Sequence, residues 1–367
     1  MRHTRTAMIG ALFFLALVRQ ASAEVTVDEL IEEAGVREGT VASRDFRGWQ
    51  PPQKIIVRGS AEFVAALQAE FPDVHMVPRG SIEGVRQQAI DADAMVGFCS
   101  TEAVVAATQL VWVQASSAGV EHCLEAEAIA SGDVVLTNMQ KMSSPEIGEH
   151  AIAMMLSLTR GLVHHTRIMP DGAWNRSVGS EIGMMSVDGK TVLVVGLGGI
   201  GTAAAKRASV LGMRVLATRN SSRSGPDYVD YVGLSGELHE LAAQADVVIN
   251  ALPLTAATEG IFDDAFFDAA KPGVFFINVA RGRSVVTDDL VAALQDGRVA
   301  GAGLDVTNPE PLPPDHPLWQ IPNVVITPHI AWYGGDGERQ RTLERENIRR
   351  FIAGDALLNV VDPAQGY

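Results

Sequence analysis

Three residues with acid–base or anion-binding chemistry stand near the ends of apolar, strand-like runs in the last third of the chain. Arg281 follows "VFFINVA", Glu310 lies in the proline-stiffened "NPEPLPP", and His329 follows "VVITP". In open α/β sheets the carboxyl ends of strands are where ligands bind. A guanidinium there can grip a carboxylate with two parallel hydrogen bonds and polarise a neighbouring carbonyl. An imidazole can deliver a proton near neutral pH, and a carboxylate beside it would stabilise its charged form and fix its orientation. Together they suit reduction of a carbonyl that neighbours a carboxylate. Taken singly, each has an ordinary structural reading: a surface ion pair, a solvated loop acid, a structural histidine.

A second group of residues points to the electron donor. "VLVVGLGGIG" places Gly196, Gly198 and Gly201 between a β-branched run and an alanine-rich helix, the context that a dinucleotide-binding glycine turn requires. Gly199 and Ile200 would present backbone N–H groups to the pyrophosphate at the helix start. An acid usually stands about 20 residues further on, where it accepts from the ribose hydroxyls. This chain has "TRNSSR" there instead. Arg219 offers planar donors for phosphate, Asn220, Ser221 and Ser222 are neutral, and Arg223 adds a second charge. The corner therefore predicts NADPH, with NADH as the possible alternative.

The elements that must position these groups alternate. Short apolar runs at "KIIV", "ADAMVGF", "LVWVQA" and "DVVLTN", with helical stretches between them, predict a small parallel α/β unit over 51–140. A helix over 144–166 follows, with Ser144 as its cap and Pro145 in its first turn. A second α/β series has strands expected at 191–195, 214–218, 246–251, 273–278, 302–306 and 324–327. The amphipathic stretch "GERQRTLERENIRRFIAG" closes the pattern at Gly354 and could return to the first unit.

The order and spacing of several segments resemble one family, the D-isomer-specific 2-hydroxyacid dehydrogenases. "ADVVINALPLTAATEGIF" and "KPGVFFINVARGRSVV" are similar to two of its signatures, and "GAGLDVTNPEPLPPDHPLW" and "NVVITPHIAW" to its catalytic segments. "TRNSS" and "DVTNPEPLP" look most like the glyoxylate and hydroxypyruvate reductase branch. The resemblance implies two Rossmann-like, doubly wound parallel-sheet domains with the active site in the cleft between them. The substrate domain would be 51–145 with 335–367, the dinucleotide-binding domain 146–334, and 24–50 an N-terminal extension. It implies Arg281, Glu310 and His329 as the catalytic residues and a homodimer as the assembly. Asp305 would receive the nicotinamide carboxamide, while Pro253, Thr258 and Ala280 would lie along the cofactor. Cys99 and Ser100 after "MVGF", with Ala118 and Gly119 in "SAG", resemble segments that hold the substrate carboxylate through backbone N–H groups. Trp332 and Tyr333 stand directly after the histidine, where they would line either the pocket or the subunit contact.

Two rivals remain open. A formate dehydrogenase resembles a version with glutamine at the position of Glu310, so Glu310 counts against it. A nucleotide-sensing binding protein on the same scaffold keeps the trio.

Composition sets outer bounds. The net charge is −15, which argues against nucleic acid as a partner. The first 23 residues have a basic start, an apolar run and "ASA", the pattern of a secretory signal peptide with too few apolar residues for a membrane span. A functional leader implies a secreted or periplasmic enzyme, and otherwise a cytoplasmic one. Cys99 and Cys123 are the only cysteines, expected as two free thiols, and no metal site is predicted.

Overall fold

A computed structural model of the chain describes residues 25–179, 181–220, 222–335 and 337–366. The strands are β1 (Glu38–Ala42), β2 (Lys54–Val57), β3 (His75–Pro78), β4 (Ala94–Val96), β5 (Trp112–Gln114), β6 (Val135–Thr137), β7 (Thr191–Val195), β8 (Arg214–Arg219), β9 (Tyr231–Leu234), β10 (Val247–Asn250), β11 (Val274–Asn278), β12 (Val299–Leu304), β13 (Val324–Ile326) and β14 (Ala356–Leu358).

Continuous apolar runs such as "VFFIN" can be buried on both faces, which is what a parallel sheet covered by helices needs. The larger sheet is parallel throughout, in the order β13-β12-β11-β10-β7-β8-β9. Side chains alternate along each strand. Leu193, Val195, Leu216, Val248 and Phe276 enter one core layer with Leu241, Phe266 and Leu290. Val192, Val194, Val215, Ile249 and Ile277 enter the opposite one with Met155, Leu158 and Ala205. The order reverses between β7 and β10, so a crevice opens where the glycine turn leaves β7. The smaller parallel sheet has the order β3-β2-β4-β5-β6. Its reversal lies between β2 and β4, the strand that leads into Cys99 and Ser100.

The helix Glu338–Ala353 packs on the smaller sheet through Ile348 and Phe351 and ends on Gly354, whose φ of 77° suits a glycine cap. It also buries an acid. Glu344 is 8% exposed, and its Oε1 lies 3.1 Å from where a Cβ on Gly97 would stand. Burial pushes its carboxyl up to about 7, against the opposing charges of Arg341 and Arg58. The folded state therefore holds this proton more tightly than the unfolded chain. The contribution of Glu344 to stability is greatest below the ordinary pKa of 4.5 and is lost as pH rises through about 7. Glu344→Gln is expected to raise stability at pH 8 by about 2–3 kcal/mol and to have far less effect at pH 5. Urea unfolding at both values checks this.

Several expected boundaries shift. The strand expected at 302–306 occupies 299–304, because "VAGAGL" pairs with β11 from Val299 onward and the chain turns at Asp305. Edge strand β9 and strand β3 were not expected; only two residues of β9 and one of β3 are buried, too weak an apolar pattern to read. The helix over 144–166 divides at Gly161, where φ is 66°, into Ser144–Thr159 and Leu162–Ile168. Ser143 holds its N-cap position without a side-chain bond to the helix N–H groups, its Oγ accepting from Gln340 Nε2 at 3.0 Å, and Ser144 is the first helical residue. Residues 27–42 are integral to the smaller unit. β1 pairs antiparallel with β14, and Leu30 and Val36 share a core with Met142, Leu343 and Leu358. The leader at 1–23 lies outside the described residues. Among the described residues no helix is long and apolar enough to cross a membrane.

Candidate active site

The glycine turn has the shape that a dinucleotide requires. Gly196 has a φ of 92°, and a Cβ there would stand 2.9 Å from the Ala251 carbonyl oxygen. A Cβ on Gly201 would lie 2.0 Å from the Gly196 carbonyl oxygen, so strand and helix could not close together with any larger residue. Nothing lies within 4 Å of a Cβ built on Gly198, which leaves the backbone open to a pyrophosphate. Gly198 caps the helix Gly199–Val210 without a side-chain bond, which leaves the first-turn N–H groups at the positive end of the helix dipole, the kind of place where anions bind.

Arg219 ends β8 and folds over this turn. Its Nε and Nη2 donate to the Leu197 carbonyl at 3.2 and 3.0 Å, and Nη1 to the Ser224 carbonyl at 3.0 Å. Asn220 is exposed beside it, and Ser221 lies outside the described residues. Arg223 lies on the sheet edge beside Tyr231 and Glu237. Its Nη2 pairs with Glu237 at 2.8 Å and its Nη1 donates to the Tyr231 hydroxyl at 2.8 Å, so its charge is already spent on the edge of the sheet. A further cation that the sequence did not single out stands near the turn, Lys141, whose Nζ donates to the Gly35 carbonyl. Lys141 comes from the loop before the helix Ser144–Thr159, and its Cγ lies 3.0 Å from a Cβ built on Gly199. Burial, with Arg37 and Arg219 close by, holds its ammonium below the ordinary lysine range. No spacing rule links Lys141 to the glycine motif, since the two meet only through the fold.

His329 and Glu310 are brought together. The imidazole Nδ1 lies 2.6 Å from Glu310 Oε1, each side chain being 41% exposed. Nδ1 is thus engaged by the carboxylate, and Nε2 is the ring atom left for a substrate. His329 has a φ of 54°, a left-handed conformation unusual for a side-chain-bearing residue, and its N–H donates to the carbonyls of Asp305 at 2.8 Å and Thr327 at 3.0 Å. Strain of this kind is held in place by its surroundings and clusters at functional sites.

Asp305 supplies those surroundings. It is 2% exposed, and its carboxylate accepts from the backbone N–H of Ile330 at 2.9 Å, that of Ala331 at 3.0 Å and the Thr327 hydroxyl at 2.6 Å. His150 meets the same hydroxyl through Nε2 at 3.0 Å. The acid is occupied in fixing the turn that aims His329. Thr258 likewise stitches its own loop, donating to the Pro253 carbonyl at 2.6 Å and accepting from the Thr255 N–H at 2.8 Å.

Arg281 crosses to the smaller unit. Its Nε donates to Glu121 Oε1 at 3.1 Å and its Nη1 to the Ala280 carbonyl at 2.8 Å. A Cβ on Gly119 would fall 1.5 Å from Nη2, so only glycine leaves the guanidinium its place. The Glu310 loop adjoins the same turn: a Cβ on Gly282 would lie 1.8 Å from the Thr307 carbonyl oxygen. The Ala118 carbonyl is fixed by Asn138 Nδ2 at 2.9 Å and that of Gly119 by the Ser117 hydroxyl at 2.7 Å. The Ser100 hydroxyl caps the helix Thr101–Ala106, and Cys99 precedes it half-buried. Trp332 and Tyr333 are exposed and meet edge to face at 5.6 Å, with Trp332 Nε1 donating to the His329 carbonyl at 3.1 Å.

Residues 152–331 match the family described as D-isomer specific 2-hydroxyacid dehydrogenase, NAD binding domain. A glyoxylate reductase of Thermofilum pendens is 34% identical over 283 residues, covering 73% of this chain and 82% of that protein. A hydroxypyruvate reductase of Blautia hydrogenotrophica is 34% identical over 233 residues, covering 62% and 71%. Among solved structures, the NADPH-dependent glyoxylate/hydroxypyruvate reductase of Sinorhizobium meliloti, in complex with NADP and sulfate, superposes with a TM-score of 0.74 at 27% identity, covering 86% of this chain and all of that one.

Proposed function

Because the chain belongs to the D-isomer specific 2-hydroxyacid dehydrogenases, NAD(P)-dependent oxidoreductases, we propose that it reduces a small 2-keto acid of the glyoxylate or hydroxypyruvate kind to the D-2-hydroxy acid, with NADPH preferred. The observation that carries this reading is the His329–Glu310 pair, 2.6 Å apart on a left-handed turn at the carboxyl edge of the larger sheet. Arg281 grips the substrate carboxylate from one side, and backbone N–H groups of the 99–100 and 118–119 loops hold it from the other. Glu310 takes the Nδ1 proton of His329 in a hydrogen bond and aims Nε2, which gives its proton to the carbonyl oxygen. The nicotinamide, when bound, supplies the hydride. Gly198, Gly199 and Ile200 would hold the cofactor pyrophosphate, and Arg219, Asn220 and Lys141 the 2′-phosphate, at a strand end whose sequence, "TRNSSR", carries no acid. A homodimer is the proposed assembly.

The test is the initial rate of NADPH and NADH oxidation with glyoxylate, hydroxypyruvate and bulkier 2-keto acids. The small acids with NADPH are expected to give the highest kcat/KM. Tight dinucleotide binding without turnover of any keto acid would replace this reading with that of a nucleotide sensor.

A further inference from the structure

The chain has two cysteines, and the fold brings both to one point beside a histidine. β4 and β5 are parallel neighbours, so the loops that leave their carboxyl ends lie side by side. The first carries Cys99 and the second His122 and Cys123. The two sulfurs and a ring nitrogen of His122 lie within 4.8 Å of one another, with His122 Nε2 3.4 Å from Cys123 Sγ. Cys123 is buried, Cys99 half-buried and His122 exposed, so the group has a dry inner side and an open outer one. Both thiols are free. The hydrogen bond with Cys99 and burial push the Cys123 thiol up, so it is not a ready nucleophile, and neither thiol has a place in the reduction proposed above.

We propose that Cys99, His122 and Cys123 form a binding site for a soft metal cation, Zn²⁺ in the first instance. Two sulfurs and an imidazole are the donors such ions select, whereas Mg²⁺ and Ca²⁺ take oxygen. Zinc at about 2.3 Å from each sulfur places two tetrahedral sulfurs about 3.8 Å apart, which atoms already within 4.8 Å of one another reach by small shifts. Binding displaces one proton from each thiol, and the neutral Nε2 donates its lone pair. Two thiolates balance the 2+ charge, so the buried side gains no net charge. A fourth, outward position is left to water. His122 follows Glu121, the carboxylate that holds Arg281, and Cys99 precedes Ser100, so the ion would tie together the two loops given the substrate carboxylate. That last consequence rests on the proposed function; the metal site itself does not.

The two cysteines are the only thiols, so their reactivity reports on the site without background. The full chain is titrated with Zn²⁺ against a chromophoric chelator, and thiol reactivity toward a chromogenic disulfide is followed in parallel. One zinc per chain is expected, with both thiols reacting at least about tenfold more slowly until EDTA is added. Cys99→Ser and His122→Gln are each expected to weaken zinc binding by at least about tenfold. The second variant alters an exposed side chain and keeps the test valid if cysteine variants fail to fold. Thiols that zinc does not protect, or a His122→Gln protein that binds zinc as the parent does, would overturn the proposal. So would thiols already joined in a disulfide in the purified protein.

Discussion

His329→Asn is expected to lower kcat for keto-acid reduction by about 10²–10⁴, the usual scale for a missing general acid. Asparagine is the informative replacement because it tolerates the left-handed backbone at this position, φ 54°, better than alanine or leucine would. The turn and the Asp305 bonds to Ile330 and Ala331 should survive, and the loss can be read as chemistry. Thermal unfolding close to that of the parent would check this. Glu310→Gln should cost less, since an amide can still engage Nδ1 but no longer supports a charged ring. The two residues act through one hydrogen bond of 2.6 Å, so the double variant should be little worse than His329→Asn alone. A His329→Asn enzyme within a few-fold of the parent, or losses that multiply, would remove the histidine from the reaction.

What the sequence disclosed follows from which interactions are local. A buried parallel strand is a short apolar run, so β2, β7, β10 and β11 could be read directly. The end of the helix Glu338–Ala353 was legible for the same reason, since a glycine at the C-cap is a local signal. Val299–Leu304 was displaced because its glycines and alanines make a strand only by lying against Met154 and Phe275, contacts that the sequence does not display. The stretch 24–50 looked like an extension because its few apolar residues, Leu30 and Val36 among them, find their partners more than a hundred residues away. Nothing in a polar, mixed segment announces that it will pair with the far end of the chain.

The site divides in the same way. Glycine positions were readable because a backbone constraint belongs to one residue: Gly196 needs its positive φ, and Gly201 needs its missing Cβ. The His329–Glu310 partnership needed the ordered motifs together, since 19 residues separate the pair. The protein partners of Arg223 and Asp305 were not legible, because charge can be seen in a sequence and partners cannot. Glu237 and the Tyr231 hydroxyl consume one, and backbone N–H groups consume the other. Lys141 and Glu121 escaped notice for the converse reason. Each matters only because a loop of the smaller unit meets the larger one.

Arg281→Met is expected to lower kcat/KM by about 10²–10⁴, because two charge-assisted hydrogen bonds to a carboxylate are worth about 3–6 kcal/mol together. Arg281→Lys should recover only part of this, since an ammonium cannot reproduce the planar fork. Glu121 sharpens the prediction. Its carboxylate holds Arg281 Nε at 3.1 Å, with the two side chains 36% and 30% exposed, so a keto acid must share or displace a resident anion. A half-exposed ion pair of this kind is worth at most about 1 kcal/mol, so Glu121→Gln should lower KM for the keto acid by up to about fivefold. On an Arg281→Met background the same change should have no effect, because there is no guanidinium left to release. Steady-state kinetics of the two single variants and the double variant measure this directly. A rise in KM for Glu121→Gln would mean that Glu121 positions the guanidinium for substrate rather than competing for it. A loss of less than tenfold in Arg281→Met would place the substrate carboxylate elsewhere.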